Sequence, residues 1–434
     1  MKIHFIGIGG IGLSALAKYL KQDGHIVTGS DIRRTKITET LEKKGIPVTV
    51  PHSPTAIVDQ DLVIYSAAIR PENVEMMEAR VKGINLLSRS EALPFILAFK
   101  KVYSVCGAHG KSTTTAMLAA ILGTSALIGA ESKEFGSNTR RNSGDLMVFE
   151  ADESDGSFLN SNPYCAIVTN AEPEHMEYYK YDLKAFYGAY TKFLDLAKIR
   201  VINAEDPFLA QYEKEAIRLY PSRQITNIRY SVVKGEPTTF FDLEGYGSFE
   251  VWGFGKHIAL DASLAILAAL HEMPLEAIRE NLKRFKGIKK RFDIIHSDER
   301  HVIIDDYGHH PTEIEATLAS AKTYAEMINL SPLSVIWQPH KWSRTMDNLE
   351  HFKRCFSGCD RLIILPVWAV NEEPRELDWQ AEFGHYQLML ADRVVREGSK
   401  LKIIKDDSVI GVLDEGVTIG FGAGDITYQL RGEG

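Results

Sequence analysis

Lys101-Val102-Tyr103-Ser104-Val105-Cys106-Gly107-Ala108-His109-Gly110-Lys111-Ser112-Thr113 decides the fold class. A short β-rich run breaks on two glycines, and a lysine and two hydroxyls open the helical stretch that follows, predicted from Ser112 to about Leu122. A strand that turns on glycine into a helix N-terminus aims several backbone N–H groups at one spot, where phosphate oxygens fit. Lys111 adds a mobile positive charge, and the Ser112 hydroxyl suits Mg²⁺. Gly107, His109, Gly110, Lys111, Ser112 and Thr113 are therefore candidate nucleotide-phosphate residues. Only two residues separate the glycines, so the spacing departs from G-x-x-x-x-G-K-[ST].

The same grammar occurs at the N-terminus. Gly7-Ile8-Gly9-Gly10-Ile11-Gly12 follows the expected strand Ile3–Ile8 and opens a helix over Ile11–Lys21, and Asp31 stands 19 residues beyond Gly12, just past the strand Ile26–Ser30. Such a loop takes a diphosphate, and the carboxylate commonly meets a ribose or base. This pattern alone leaves open whether the ligand is NAD or another nucleotide. A nicotinamide-dependent oxidoreductase would use it, but leaves the Lys111 loop unexplained.

Working outward, short β-branched runs alternate with helical stretches along the whole chain, the pattern of α/β domains with mainly parallel sheets. One set includes Leu62–Ser66 and the helix Lys36–Lys44. A second holds Leu146–Glu150, Cys165–Asn170 and Arg200–Asn203. A third runs through Val302–Asp305, Leu333–Trp337, Arg361–Pro366, Leu401–Ile404 and Val417–Phe421. At roughly 150 residues per domain, 434 residues make about three domains. Boundaries are expected near Leu93–Lys101 and at Lys283–Arg291, where six of nine residues are basic. That basic run reads either as a solvated linker or as charge facing a nucleotide. The net charge of −8 argues against a dedicated nucleic-acid binder. Four cysteines make no disulfide framework, no stretch reaches the ~18 apolar residues of a membrane span, and glycines interrupt the N-terminal apolar run, so a cytoplasmic protein is expected.

Chemistry-bearing residues gather at strand ends. Glu150-Ala151-Asp152-Glu153-Ser154-Asp155 follows an apolar strand and offers hard oxygen donors suited to Mg²⁺, and His175 stands just past the next strand. Asp305-Asp306-Tyr307-Gly308-His309-His310-Pro311-Thr312-Glu313 ends a strand and opens a helix, with Pro311 at the first helical position. Two Asp and two His admit a transition-metal reading, but polar contacts to a substrate are preferred. Gln338-Pro339-His340-Lys341-Trp342-Ser343-Arg344 supplies cations after the next strand. Cys355 and Cys359 read as core thiols.

Taken together, G-I-G-G-I-G-L-S at 7–14, G-A-H-G-K-S-T-T-T at 107–115, E-A-D-E-S-D at 150–155, D-D-Y-G-H-H-P-T-E at 305–313, Q-P-H at 338–340 and G-A-G-D at 422–425 resemble the Mur ligase family over essentially the whole chain. The resemblance implies three domains, 1–97 for a UDP substrate, 98–292 for ATP and 293–434 for an amino acid. It implies an ATP-dependent amide-forming ligase of peptidoglycan precursor synthesis, most like the members joining L-alanine to UDP-N-acetylmuramate through an acyl phosphate. Members that attach a tripeptide to the same sugar nucleotide are the alternative. Carried over by position, Gly9, Gly10, Ile11 and Gly12 would contact the diphosphate, with Asp31, His52 and Ser66 about the uridine. Lys111 would hold the γ-phosphate, and Ser112, Glu150 and His175 would arrange Mg²⁺. His257, Asp261, Arg291 and Asp306 would contact ATP, while His309, His340 and Arg344 would position the carboxylate and L-alanine. Ala108 and Ser112 replace the usual Thr, Lys341 replaces Arg, and Ile258 and Asp261 replace Asn. Tyr190 stands where sister ligases carry a modified lysine, which fits the alanine-adding members.

Overall fold

The computed structural model describes residues 1–370 and 372–433. The chain packs as two compact units. The first comprises residues 1–227, 241–250 and 259–286, and the second residues 228–240, 251–258 and 287–434.

In the first unit, five parallel strands lie in the order Val48–Thr49, Ile26–Ser30, Lys2–Ile6, Leu62–Tyr65, Asn85–Ser88. The chain reverses its direction of growth between Lys2–Ile6 and Leu62–Tyr65, so both neighbouring strands end beside Ile6, with Ser30 on one side and Tyr65 on the other. That reversal opens a crevice at the carboxyl edge of the sheet. Two of the helices of this layer have side-chain caps at their starts. Thr35 and Thr38 form one reciprocal cap and Ser88 and Glu91 another. Pro94 does not end the helix Arg89–Leu97 but lies inside it. Proline cannot bond back to residue i−4, and the Ser90 carbonyl instead accepts from Asn160 Nδ2 at 3.2 Å.

A seven-stranded sheet follows in the same unit, ordered Ile217–Leu219, Ile199–Asn203, Pro163–Val168, Lys101–Cys106, Leu146–Glu150, Ser125–Ser132, Ser137–Arg140, parallel except for the last hairpin. Apolar residues of both sheets, from Ile3 to Tyr212, join in one buried cluster. The expected strand Lys101–Cys106 occurs with those bounds, and the helix after it begins at Lys111.

The second unit holds a six-stranded sheet, ordered Asp293–Ser297, His301–Asp306, Gly416–Phe421, Leu333–Trp337, Arg361–Ile364, Leu388–Leu390, with only the first strand antiparallel. Leu401–Ile404, expected among the parallel strands, belongs instead to an antiparallel meander of Arg393–Glu397, Lys400–Lys405 and Ser408–Leu413. The reason is local: Gly398 and the pair Asp406-Asp407, all at positive φ, make tight turns that fold the strands back on one another. A second meander, Ile225–Val233, Glu236–Leu243 and Gly247–Trp252, also lay outside the expected strands. Among the described residues no helix is long and apolar enough to cross a membrane.

Candidate active site

The N-terminal glycine loop sits on the crevice of the five-stranded sheet. The Gly7 and Ile8 N–H groups donate to the Ser30 carbonyl at 2.9 Å, fastening the loop to the neighbouring strand. Gly9 N–H donates to Asp31 Oδ2 at 2.8 Å, and a Cβ on Gly9 would lie 2.7 Å from that oxygen. A side chain there would displace the Asp31 carboxylate, which fixes the loop from the strand beside it. Ile11 begins the helix with its carbonyl accepting from Asn138. Ser66 N–H donates to the Ile6 carbonyl at 3.1 Å on the other flank. His52 is seated by Ser30, whose Oγ lies 2.9 Å from its Nδ1. The structure thus gathers Gly9, Gly10, Ile11, Gly12, Asp31, His52 and Ser66 at one sheet edge. Arg89, which the sequence reading passed over, lies there too, 3.2 Å from the position of a Cβ on Gly12 and 3.7 Å from Asp155.

The second glycine loop is held from both sides. Asn170 grips His109, accepting from its N–H at 3.2 Å and donating to its carbonyl at 2.9 Å. Gly107 and Gly110 take positive φ, and a Cβ on Gly110 would lie 2.5 Å from Asp261 Oδ1. The buried Asp261 therefore borders the loop itself. Lys111 Nζ donates to the Gly107 carbonyl at 2.6 Å, to Ala108 at 3.2 Å and to Glu153 Oε1 at 3.0 Å. Burial pulls the Lys111 ammonium down, but Glu153 and Asp152 more than offset it and the net direction is upward. Glu153 is fully buried, and burial pushes its carboxyl up against the pull of Lys111.

Ser112 Oγ donates to Glu150 Oε1 at 2.9 Å, and the Gly129 N–H donates to Glu150 Oε2 at 2.7 Å. A Cβ on Gly129 would come within 2.6 Å of the carboxylate, so a side chain there would displace Glu150. Burial again moves Glu150 upward. His175, expected with Ser112 and Glu150, groups instead with Glu153 and Glu174, their ligand atoms lying within 4.8 Å of one another. His175 takes a positive φ of 52°, and His109 Nε2 lies 3.2 Å from Glu172. Glu153 and Glu174 are the residues that motif reading undervalued. Only Glu153's place in the E-A-D-E-S-D run marked it.

In the second unit, Asp306 accepts from the N–H groups of Phe292 and Gly308, each at 2.7 Å, and burial pushes it up to about 7 despite Arg291. Arg291 itself donates to Glu313 Oε1 at 3.3 Å, while Glu313 Oε2 accepts from His309 N–H at 3.1 Å and His310 N–H at 3.3 Å. One glutamate thus ties the basic run to the D-D-Y-G-H-H-P-T-E turn and caps the helix Pro311–Met327, which starts at proline as expected. The charge at Arg291 faces this turn, so it is not part of a featureless linker. His257 is pushed down to about 4 by burial and then by Arg291, leaving a neutral ring. The His309 and His340 rings lie 5.6 Å apart, and Arg344 Nη1 donates to His340 Nδ1 at 2.8 Å. Burial, Arg344 and His309 push His340 down to about 4. With Nδ1 accepting from Arg344, the neutral imidazole carries its proton on Nε2 and offers a donor beside the guanidinium charge, a setting suited to a carboxylate. Gln338 Nε2 donates to Asp425 Oδ1 at 2.6 Å, joining the Q-P-H and G-A-G-D motifs.

Residues 2–101 match the Mur ligase family catalytic domain, 105–269 the Mur ligase middle domain and 290–407 the Mur ligase glutamate ligase domain. The chain is 56% identical over 431 residues to the UDP-N-acetylmuramate–L-alanine ligase of Campylobacter curvus, covering 99% of each. It is 55% identical to that of Helicobacter pylori, over all of this chain and 96% of the other. Among solved structures, the UDP-N-acetylmuramate–alanine ligase of Thermotoga maritima superposes with a TM-score of 0.81 at 28% identity, covering 99% of this chain and 97% of that one.

Proposed function

The chain belongs to the Mur ligase family, and on that premise we propose that it joins L-alanine to the carboxylate of UDP-N-acetylmuramate, with ATP as phosphoryl donor, in peptidoglycan synthesis. The observation that carries the reading is the pairing of the phosphate-loop Lys111 and Ser112 with Glu153 and Glu150 at a sheet edge, in a chain so close to ligases of that specificity.

A carboxylate is a poor acyl donor. Transfer of the γ-phosphoryl group to it yields an acyl phosphate and ADP. The neutral amine of alanine then attacks the acyl carbon, and phosphate leaves from the tetrahedral adduct. We assign Lys111 to the γ-phosphate, where its ammonium would exchange the Gly107 and Ala108 carbonyls for phosphate oxygens. The loop residues Gly107, His109, Gly110 and Thr113 hold the phosphates, with Asn170 bracing the turn. In the second unit, Arg291, Asp306 and His257 are assigned to ATP, and His309, His340 and Arg344 to the carboxylates.

The donor set suits a hard cation, because Glu153 keeps one fully buried oxygen with no partner among the described residues, next to Glu174 and His175. We assign two donor groups to Mg²⁺, Ser112 with Glu150 in one and Glu153, Glu174 and His175 in the other. When bound, it offsets the repulsion between the reacting anions. On the first sheet, the Gly9–Gly12 loop is assigned to the diphosphate and Asp31, His52 and Ser66 to the uridine.

Phosphate release measured with ATP and UDP-N-acetylmuramate tests the reading. L-Alanine should support it far better than L-serine, glycine or the tripeptide. A preference for the tripeptide would refute the specificity, and NAD turnover without ATP hydrolysis would refute the reaction class.

A further inference from the structure

Beneath the first glycine loop lies a polar network with no part in phosphoryl transfer. Glu75 opens the helix Val74–Val81, is fully buried, and has both oxygens engaged. Oε1 accepts from the Ser53 N–H at 2.8 Å. Oε2 is shared by the Ser30 hydroxyl and by His4 Nε2 at 3.3 Å. The other nitrogen of His4 lies 2.8 Å from Thr28 Oγ1. Burial would push Glu75 up, but His4, Ser30 and the Ser53 N–H hold it below the ordinary carboxylate range, so it is an acceptor only.

That assignment propagates. Ser30 has one proton, and it goes to Glu75. Its oxygen must then accept from His52 Nδ1, 2.9 Å away. A neutral His52 therefore carries its proton on Nδ1 and offers Nε2 as an acceptor. Nε2 has no partner among the described residues, and the ring is within reach of solvent, with its side chain 14% exposed.

We propose that Glu75 and Ser30 are positioning residues that fix the tautomer of His52, so that Nε2 accepts a hydrogen bond from the nucleoside of the UDP substrate. This rests on placing UDP at the first sheet. Uracil has a donor at N3, whereas cytosine has an acceptor there, so an acceptor at His52 favours UDP over CDP. A ribose hydroxyl is the other donor the same atom could meet. A site built around one hydrogen bond rejects the analogue that leaves it unpaired.

Glu75→Gln inverts the relay without changing its shape. The Ser53 N–H holds the amide oxygen at the Oε1 position, so the amide NH₂ faces Ser30. The Ser30 hydroxyl, no longer donating to a carboxylate, becomes free to donate to His52 Nδ1, with the ring proton on Nε2. Ser30→Ala, a smaller change, removes the relay and keeps the test open if Glu75→Gln folds poorly. Binding of UDP, 2′-deoxy-UDP and CDP to the full-length protein is measured by calorimetry, and the His52 ring ¹⁵N shifts at pH 8 report the tautomer. The wild type should show protonated Nδ1, and Glu75→Gln protonated Nε2 with the UDP preference over CDP narrowed about tenfold. Narrowing against 2′-deoxy-UDP instead would identify the ribose hydroxyl as the donor. Turnover at saturating substrate should hold while KM for the UDP substrate rises. An unchanged tautomer, or an equal loss for all three nucleotides in both variants, would overturn the proposal. Failure of the wild type to bind UDP at all would overturn the placement of the nucleotide.

Discussion

Replacing Lys111 by alanine should produce two separable losses. The first is stability. Lys111 is mostly buried against a Glu153 that has no exposed surface and, among the described residues, a second oxygen without a partner. Removing one member of a buried pair leaves the other uncompensated, at a cost of about 3–5 kcal/mol. Glu153 can escape that cost by taking up a proton, since burial already pushes it up to about 7. An acid whose folded-state pKa is raised stabilises the fold less as pH climbs from its unfolded value to its folded one. Loss of Lys111 raises it further, so the destabilisation should be small at pH 5 and full only above pH 7. The second loss is catalytic: without an ammonium to meet charge on the transferring phosphoryl group, turnover should fall on the order of 10²-fold or more. Glu153→Gln in the same chain separates the two, because it removes the stranded charge. Urea unfolding at pH 5 and pH 8, with single-turnover ADP formation at each pH, is the assay. The double variant should regain most of the stability at pH 8 and none of the turnover. If turnover returned with stability, Lys111 would be a structural residue. If the single variant were equally stable at both values of pH, the buried-pair reasoning would fail.

Glu150→Gln should raise the Mg²⁺ concentration needed for half-maximal activity while UDP-substrate affinity stays put, and an unchanged Mg²⁺ titration would remove Glu150 from the cation site. Gly129→Ala would push a methyl to within 2.6 Å of the Glu150 carboxylate, so steady-state kinetics should show a loss of about tenfold or more in turnover with the fold intact by circular dichroism. Asp261→Asn, which takes a carboxylate away from the rim of the Gly110 loop, should tighten ATP binding by roughly 1 kcal/mol in an ATP titration at fixed Mg²⁺. Weaker binding would mean that the pocket is built around the carboxylate.

What a sequence reveals here follows from how far each determinant lies along the chain. The strand Lys101–Cys106, its glycine turn and the helix after it were legible because the apolar run, the glycines and Lys111 are contiguous and each has a local backbone reason. The pairing of Ser112 with Glu150 was legible at one remove, since adjacent parallel strands bring their carboxyl ends to the same edge. The antiparallel meanders were not, although Gly235, Gly398 and the pair Asp406-Asp407 favour tight turns, because glycine and aspartate equally mark the loops that join parallel strands to helices. Glu153 and His175 show a subtler limit. Counting along the motif favours the first carboxylate of the run, but the chain leaves the strand at Glu150 and turns, so the fourth residue is the one carried inward beneath Lys111 and next to His175. Glu313 and Glu75 show the last. Each is an ordinary first-turn glutamate in the sequence, where a favourable helix dipole explains it fully. Only the fold reveals that one also binds Arg291 and the other closes on Ser30, 45 residues away. Helix-start chemistry therefore conceals functional carboxylates, because the bland role and the specific one ask for the same residue in the same place.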